Sequence, residues 1–364
     1  MHDPEFYDSL ARRALADEPL SPPECEGLLC DPQVDLLPLL YAAYRVRTAY
    51  FGKRVQLHII NNAQNGLCPE DCGYCSQAKT ADVDIEKYPI KGDQEILDEA
   101  RRAYEAGAHR YCMVFSGRGP NTARTQALAR LVRTIKANYK LEVCVSAGLV
   151  DDDKARMLAE AGLDRLNHNL NTAEGHYEKI CTTHSYADRL NTIRAARNNG
   201  LEVCSGMIVG MGEQPPEVVE VAHALRELGA ASIPINFLLP FEGTPIAPDR
   251  ALSPDYCLRV LCMFRLVNPR AELRIAAGRE LHLRALQPLG LYPANSLFLD
   301  GYLNSRGDAA RNTLQMIRDA GFSIESDQDL GALLADDEDE AARQKRMVRL
   351  NVVKRGEDLR PTLG

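Results

Sequence analysis

Cys68, Cys72 and Cys75, in the segment Asn65-Gly-Leu-Cys-Pro-Glu-Asp-Cys-Gly-Tyr-Cys-Ser-Gln77, are spaced C-x3-C-x2-C. Three thiolates so placed can bind three irons of one cubane cluster and leave the fourth iron without a local protein ligand. An open iron takes a small chelator, and an amine with an adjacent carboxylate, as in S-adenosylmethionine, closes a five-membered ring on it. Closed four-cysteine clusters pass electrons, whereas a cluster with a free iron can deliver one electron into whatever it holds. The competing reading is structural zinc, which favours paired C-x2-C knuckles with two further ligands; this segment offers one such pair and one offset thiolate. Gly73 permits backbone conformations that a cluster-wrapping loop needs, and Tyr74 is placed to pack beside an adenine.

A second group emerges only when strands are laid side by side. Cys112, Cys144 and Cys204 each fall inside a β-rich run, two of them in the context Glu-Val-Cys, and Arg274 sits similarly in Leu-Arg-Ile. Alternate residues of a barrel strand point inward, so these four side chains can meet on the axis despite their distance in sequence. Free cysteine is also among the most buried residue types, and packing is the plain alternative for each one taken alone. Arg274 shifts the balance: a guanidinium inside a barrel needs an anionic centre beside it, and thiolate-ligated clusters are anionic. Residue physics alone leaves a second cluster and simple packing both open. Cys25, Cys30, Cys181, Cys257 and Cys262 share no such register and are read as packing residues.

The elements that must position these groups alternate in type. Strands are expected at 55–60, 110–115, 141–145, 165–170, 201–205, 232–238, 272–275 and 295–299, with helices between them at 95–106, 124–137, 152–161, 187–198, 216–228 and 254–267. Eight strands alternating with helices predict a parallel sheet closed as an α/β, TIM-type (β/α)8 barrel over residues 53–321. Residues 1–52, with helices at 7–17 and 34–50, read as a helical cap. Residues 322–364, including Asp336-Asp-Glu-Asp-Glu340, read as a peripheral charged tail. Further polar residues fall at the carboxyl ends of strands, where barrels do chemistry: Asn167-His-Asn-Leu-Asn171 after the fourth strand, Asn236 on the sixth, and Gly206-Met-Ile-Val-Gly210 after the fifth, where Ile208 and Val209 can flank an adenine. His168 is read as structural rather than as a general base.

The chain has 364 residues, enough for a large core, and its apolar residues are spread rather than concentrated in a membrane-length run. The N-terminus shows no basic stretch followed by an apolar one, so a cytoplasmic location is expected. An odd count of eleven cysteines argues against a disulfide framework, and a net charge of −8 gives no general attraction to nucleic acid or anionic lipid.

The cysteine spacing, with an aromatic before its last member, resembles the radical S-adenosylmethionine superfamily. Further stretches narrow the resemblance to the biotin synthase family from about residue 50 to 308: Tyr111-Cys-Met113, Leu166-Asn-His-Asn-Leu-Asn-Thr172, Val203-Cys-Ser-Gly206, Ile233-Pro-Ile-Asn236, Gly243-Thr-Pro245, Ala276-Ala-Gly-Arg-Glu280 and Ala294-Asn-Ser296. The resemblance implies a [4Fe-4S] cluster on Cys68, Cys72 and Cys75, and a [2Fe-2S] cluster on Cys112, Cys144, Cys204 and Arg274, which become the catalytic set. It implies S-adenosylmethionine held by Tyr74, Asn169, Asn171, Ile208 and Val209, and dethiobiotin held by Asn169, Asn236, Asn304 and Ser305. A 5'-deoxyadenosyl radical would take hydrogen from dethiobiotin, and sulfide from the second cluster would complete biotin. A flavodoxin-type electron donor and a homodimer are family expectations. Asn171 stands where some members carry Asp, and Asn304-Ser305 where some carry a Thr pair. A radical enzyme using only the first cluster, and a non-catalytic electron carrier, are the alternatives.

Overall fold

The structure, a computed structural model, describes residues 2–246 and 252–331. It divides into a compact unit Met1–Gln328 and a second unit Asp329–Gly364. The acidic run at 336–340, and most of the expected tail, lie outside the described residues.

Strands β1 (Arg54–Gln64), β2 (Arg110–Phe115), β3 (Glu142–Ser146), β4 (Arg165–Asn167), β5 (Glu202–Cys204), β6 (Met207–Val209), β7 (Ser232–Phe237), β8 (Glu272–Ile275) and β9 (Ser296–Phe298) follow one another around the sheet, and β9 pairs back onto β1. All these pairings are parallel, as strands joined through helices must be. β5 and β6 are two halves of one stave, both pairing with β7, so the closed barrel has eight staves, as the sequence implied. The break falls at Ser205-Gly206. A Cβ on Gly206 would stand 1.9 Å from the Pro234 carbonyl oxygen, so only glycine lets this stave lie against its neighbour.

Helices α4 (Asp93–Glu105), α5 (Thr122–Asn138), α6 (Asp152–Glu160), α7 (Tyr186–Asn198), α8 (Pro215–Glu227) and α9 (Pro254–Val267) fill the connections. Their starts are written locally. Asn121, Asp151 and Ser253 accept the backbone N–H three residues on, and Ser185 with Asp188 and Gln214 with Glu217 form capping boxes. The buried stripe Ile96, Ala100, Ala103 turns α4 toward the sheet. α9 is buried on every face from Cys257 to Val267 because a second layer covers it. That layer is α1 (Pro4–Leu15), α2 (Pro22–Cys30) and α3 (Leu36–Phe51), with α3 packed on α9 and α2 on both α8 and α9. Arg259 of α9 ties the layers together by donating to the carbonyls of Leu28 at 3.1 Å and Val34 at 2.5 Å.

After β9 come an antiparallel hairpin, β10 (Gly301–Tyr302) with β11 (Ser305–Arg306), and then β12 (Ser323–Glu325), which pairs in parallel with the first residues of β1 outside the closed barrel. The short helices α10 (Arg279–Leu283) and α11 (Gln287–Gly290) lie between β8 and β9, and α12 (Ala310–Asp319) precedes β12. The sequence reading did not anticipate α2, β6, the hairpin or β12. Among the described residues no helix is long and apolar enough to cross a membrane.

Candidate functional site

Inward alternation brings the strand cysteines together. Cys112 and Cys144 face each other in register on β2 and β3, and with Cys204, Ala276 and Phe298 they form one buried cluster flanked by Ile60 and Tyr302. Arg274 places Nη1 3.8 Å from Cys204 Sγ, and its guanidinium carbon lies 5.0 Å from the centre of the Phe298 ring. Hydrogen bonds from Cys144 hold Cys112 and Cys204 below the ordinary thiol range, against burial and with help from Arg274, while Cys144 is pushed well above it. Two of the three sulfurs are thus the readier to be thiolates, which is the form that binds metal.

The sequence argument gave Arg274 an anionic cluster as its partner; the structure adds a carboxylate. Arg274 Nη2 donates to Glu272 Oε1 at 2.6 Å and to Ser232 Oγ at 2.8 Å. Glu272 Oε1 also accepts from Ser296 Oγ at 2.8 Å and lies 3.0 Å from His58 Nε2, while Oε2 accepts from Arg110 Nη1 at 2.7 Å and from Arg165. This ion layer lies directly beneath the thiols, and the sequence reading missed it. Its signal was the same alternation, since Arg110 and Glu272 precede Cys112 and Arg274 by two positions. Arg274 Nε remains buried without a hydrogen-bond partner. A sulfide-bearing cluster fits the three thiols and supplies an acceptor for that orphaned donor.

Above the thiols, at the carboxyl ends of the strands, opens a cavity of about 250 Å³. Cys68, Cys72 and Cys75 line one side of it, and Asn167 links it to the layer below by donating to Cys204 Sγ at 3.3 Å. Tyr74, Asn169, Asn171, Ile208, Asn236 and Asn304 line the same cavity; Val209 is fully buried and does not. Asn171, at φ 72°, donates to the Tyr74 hydroxyl at 2.5 Å. Asn169 Oδ1 accepts from the Gly206 N–H at 3.1 Å. The Asn236 carboxamide is spanned by backbone, donating to Met207 O at 3.1 Å and accepting from Ala277 N at 3.2 Å. Asn304 exchanges two hydrogen bonds with Asn65, at 2.8 and 3.0 Å, and donates to Ser76 Oγ at 3.2 Å, so it braces both ends of the cysteine loop. Ser305, on β11, borders a small neighbouring cavity instead. His168 lines the main cavity; burial, then Arg189 and His184, hold its pKa well below the ordinary value, and its Nε2 has no hydrogen-bond partner. A larger groove of about 630 Å³ at the opposite end of the barrel, edged by Arg54, His109 and Glu142, contains none of the thiols.

Cys181, read from sequence as a packing residue, lies against the cysteine loop, with its Sγ 3.7 Å from Cys72 Sγ and 3.3 Å from His184 Nδ1. Cys72, Cys181 and His184 are the group of potential metal ligands found within 4.8 Å of one another among the described residues. His184 Nδ1 lies 2.6 Å from Glu70 Oε2, and its Nε2 lies 2.9 Å from Arg189 Nη2. Arginine only donates, so Nε2 is the acceptor and Nδ1 carries the proton, and the imidazole has no lone pair to spare for a metal. Burial opposes the ionised form of Glu70, but Thr183 and His184 hydrogen bonds keep its pKa below the usual range.

A family model described as the Radical SAM superfamily matches residues 65–225, and one described as the Biotin and Thiamin Synthesis associated domain matches residues 234–323. A curated relative from Magnetococcus marinus named biotin synthase is 56% identical over 316 residues, covering 87% of this chain and 98% of that one. Another of that name, from Acaryochloris marina, is 55% identical and covers 83% and 88%. Among solved structures, methylornithine synthase matches with a TM-score of 0.74 at 21% identity, over 86% of this chain and 97% of the other, a likeness of fold.

Proposed function

The chain belongs to the biotin synthase family of radical S-adenosylmethionine enzymes, which makes it a sulfur-inserting transferase, and from that premise we propose that it converts dethiobiotin to biotin using two clusters. Cys68, Cys72 and Cys75 would hold a [4Fe-4S] cluster, and Cys112, Cys144, Cys204 and Arg274 a [2Fe-2S] cluster. When bound, the first cluster supplies the electron that releases a 5'-deoxyadenosyl radical from S-adenosylmethionine, and the second supplies the sulfur.

The work of the protein is placement, because the carbons to be attacked are too weakly acidic for any side-chain base. Tyr74, Asn169, Asn171 and Ile208, which line the cavity, are assigned to the nucleoside, and Asn169 and Asn236 to the ureido ring; Val209, buried behind the wall, is not. The backbone bonds that fix the Asn236 carboxamide set the direction in which its remaining donor and acceptor capacity faces. Asn304 is assigned to the carboxylate tail and also braces the loop through Asn65 and Ser76, whereas Ser305, on the neighbouring cavity, is not. Phe298, Ala276 and Tyr302 around the lower thiols keep water from the sulfur source. A flavodoxin-type reductant, a homodimer and a cytoplasmic location complete the proposal.

The observation that carries this reading is the buried group Cys112, Cys144, Cys204 and Arg274 beneath a cavity walled by the other three cysteines. Anaerobic reconstitution with iron and sulfide is expected to load about six irons per chain, against about four for one cluster, and zinc in place of iron for a structural site. Incubation with a reductant, S-adenosylmethionine and dethiobiotin is then expected to yield 5'-deoxyadenosine and biotin. Deoxyadenosine without biotin at full iron loading defeats the sulfur-insertion reading.

A further inference from the structure

We propose that Tyr302 holds the substrate between the two sets of thiols, its hydroxyl donating a hydrogen bond to the carbonyl of the ureido ring. This rests on the reading that the substrate is dethiobiotin and that its sulfur comes from beneath the cavity. The new ring is closed on carbons beside the ureido group, so that group must lie where radical and sulfur can both reach its neighbours.

Tyr302 belongs to both levels. It lines the cavity walled by Cys68, Cys72 and Cys75, and it packs against the buried group of Cys112, Cys144 and Cys204. Its ring meets Phe298 edge-on at 5.4 Å, and the Arg274 guanidinium lies 5.0 Å from the centre of that same Phe298 ring. Burial, then Cys75 above and Cys204 below, push the Tyr302 pKa up, so the hydroxyl feels both sets of thiols and is a donor at neutral pH. Among the described residues that hydroxyl has no hydrogen-bond partner, and it is not one of the polar atoms closed off from open space. A tyrosine held among apolar groups ordinarily finds a partner for its O–H. The small cavity on its other side, about 10 Å³, has room for one water at most, so a ligand reaches the hydroxyl from the main cavity.

The backbone fixes where the ring points. Tyr302 pairs with Ser305 across the hairpin, whose two-residue tip is Leu303-Asn304. Leu303 sits at φ 50°, a left-handed conformation unfavourable for a side chain of its kind. Such strain persists only where the surroundings over-determine the chain, and it gathers at ligand clamps. Here a Cβ on Gly301 would stand 2.4 Å from the Ser305 carbonyl oxygen, and Asn304 is bonded to Asn65 and Ser76 of the cysteine loop. Tyr302 and Asn304, two residues apart, both line the cavity, so one strained hairpin presents a donor for the ureido ring beside the residue assigned to the tail. The ureido oxygen has two lone pairs, room for a phenol as well as a carboxamide.

Reconstituted wild-type and Tyr302→Phe proteins are to be compared, without reductant, by iron count, by melting temperature, by equilibrium binding of S-adenosylmethionine alone, and by binding of dethiobiotin at saturating S-adenosylmethionine. Iron count, melting temperature and S-adenosylmethionine affinity are expected to match. Dethiobiotin is expected to bind Tyr302→Phe about fivefold more weakly, the ratio set by one hydrogen bond of ~1 kcal/mol. A thioureido analogue of dethiobiotin, whose sulfur is a poor acceptor, is expected to bind the two proteins about equally. Equal dethiobiotin affinity overturns the proposal, and so does an equally large gap with the analogue. A loss of S-adenosylmethionine affinity overturns it by placing the hydroxyl at the nucleoside, and a loss of iron overturns it by making the ring a support for the clusters. If the fully loaded wild-type chain binds no dethiobiotin, the underlying reading fails instead, and the inference with it.

Discussion

Glu272 is 4% exposed and lies within an ion layer with Arg110, Arg165, Arg274 and His58, so its charge cannot be removed without stranding buried cations. Removing one partner of such a network typically costs about 3–5 kcal/mol, and Glu272→Gln is expected to lose that much in urea unfolding. Glu142, whose side chain is 35% exposed, bonds Arg110 from the edge of the same layer, and Glu142→Gln is expected to lose no more than about 1 kcal/mol. Equal losses would mean that the layer has no protected centre. Asn171 gives a second test at this scale. Its hydrogen bond to Tyr74 and its left-handed backbone both favour a side chain that can bond locally. Asn171→Ala is expected to raise the KM for S-adenosylmethionine about tenfold, the equivalent of one lost hydrogen bond near the upper end of the usual range, with Asn171→Asp close to wild type. The thiols and Arg274 were legible because their types are rare and their period is that of a strand. Cys181 was not, because its partner is Cys72, 109 residues away, and no local spacing records a meeting between two loops.

Elements were legible where periodicity and caps coincide, as in α5 and α9, and illegible where a single residue decides. The stretch Gly206-Met-Ile-Val-Gly210, placed by sequence after the end of the fifth strand, is the second half of a barrel stave, because Gly206 lets the chain pass the Pro234 carbonyl without leaving the sheet. Gly206→Ala has a rigid backbone atom in its way, so the overpacking loss should reach about 3 kcal/mol and lower the melting temperature while the ion layer stays intact. α2 was missed because its Pro22-Pro23 start and short length leave little periodic signal. It carries Cys25, whose Sγ lies 3.8 Å from His223 Nε2 on α8. Burial holds the His223 pKa below its ordinary value of 6.5. The unfolded chain therefore binds a proton first as pH falls through 6.5, and the stability contributed by the neutral ring is lost from there down to the folded pKa. Protection factors along α2 and α8, corrected for the intrinsic slowing of amide exchange as pH falls, are expected to drop between pH 7.5 and 5.5, and less so in His223→Gln; an identical pH response in both proteins would exclude His223 as the cause.

At the scale of the whole molecule, β1 holds the unit together, pairing with β2, β9 and β12 along its eleven residues. The last of these contacts brings Phe322 beneath Arg47 of α3, 4.7 Å from the ring centre, and edge-on to Tyr44 and Tyr292. The N-terminal helices, the barrel and the segment after α12 thus meet at one aromatic side chain. Where the working unit ends is a proposal that truncation decides. A chain ending at Gln328 retains every residue assigned to either cluster together with β12, and is expected to keep wild-type stability and iron content. A chain ending at Gly321 loses Phe322 and β12 together. The first loss alone is of the size of a buried Phe→Ala change, about 3–5 kcal/mol. The second bares the Arg54–Gln56 backbone, a strand edge open to pairing between molecules. The shorter chain should therefore unfold at lower urea and scatter light on concentration, whereas the longer one does neither; indistinguishable behaviour of the two would place the end of the unit before Phe322.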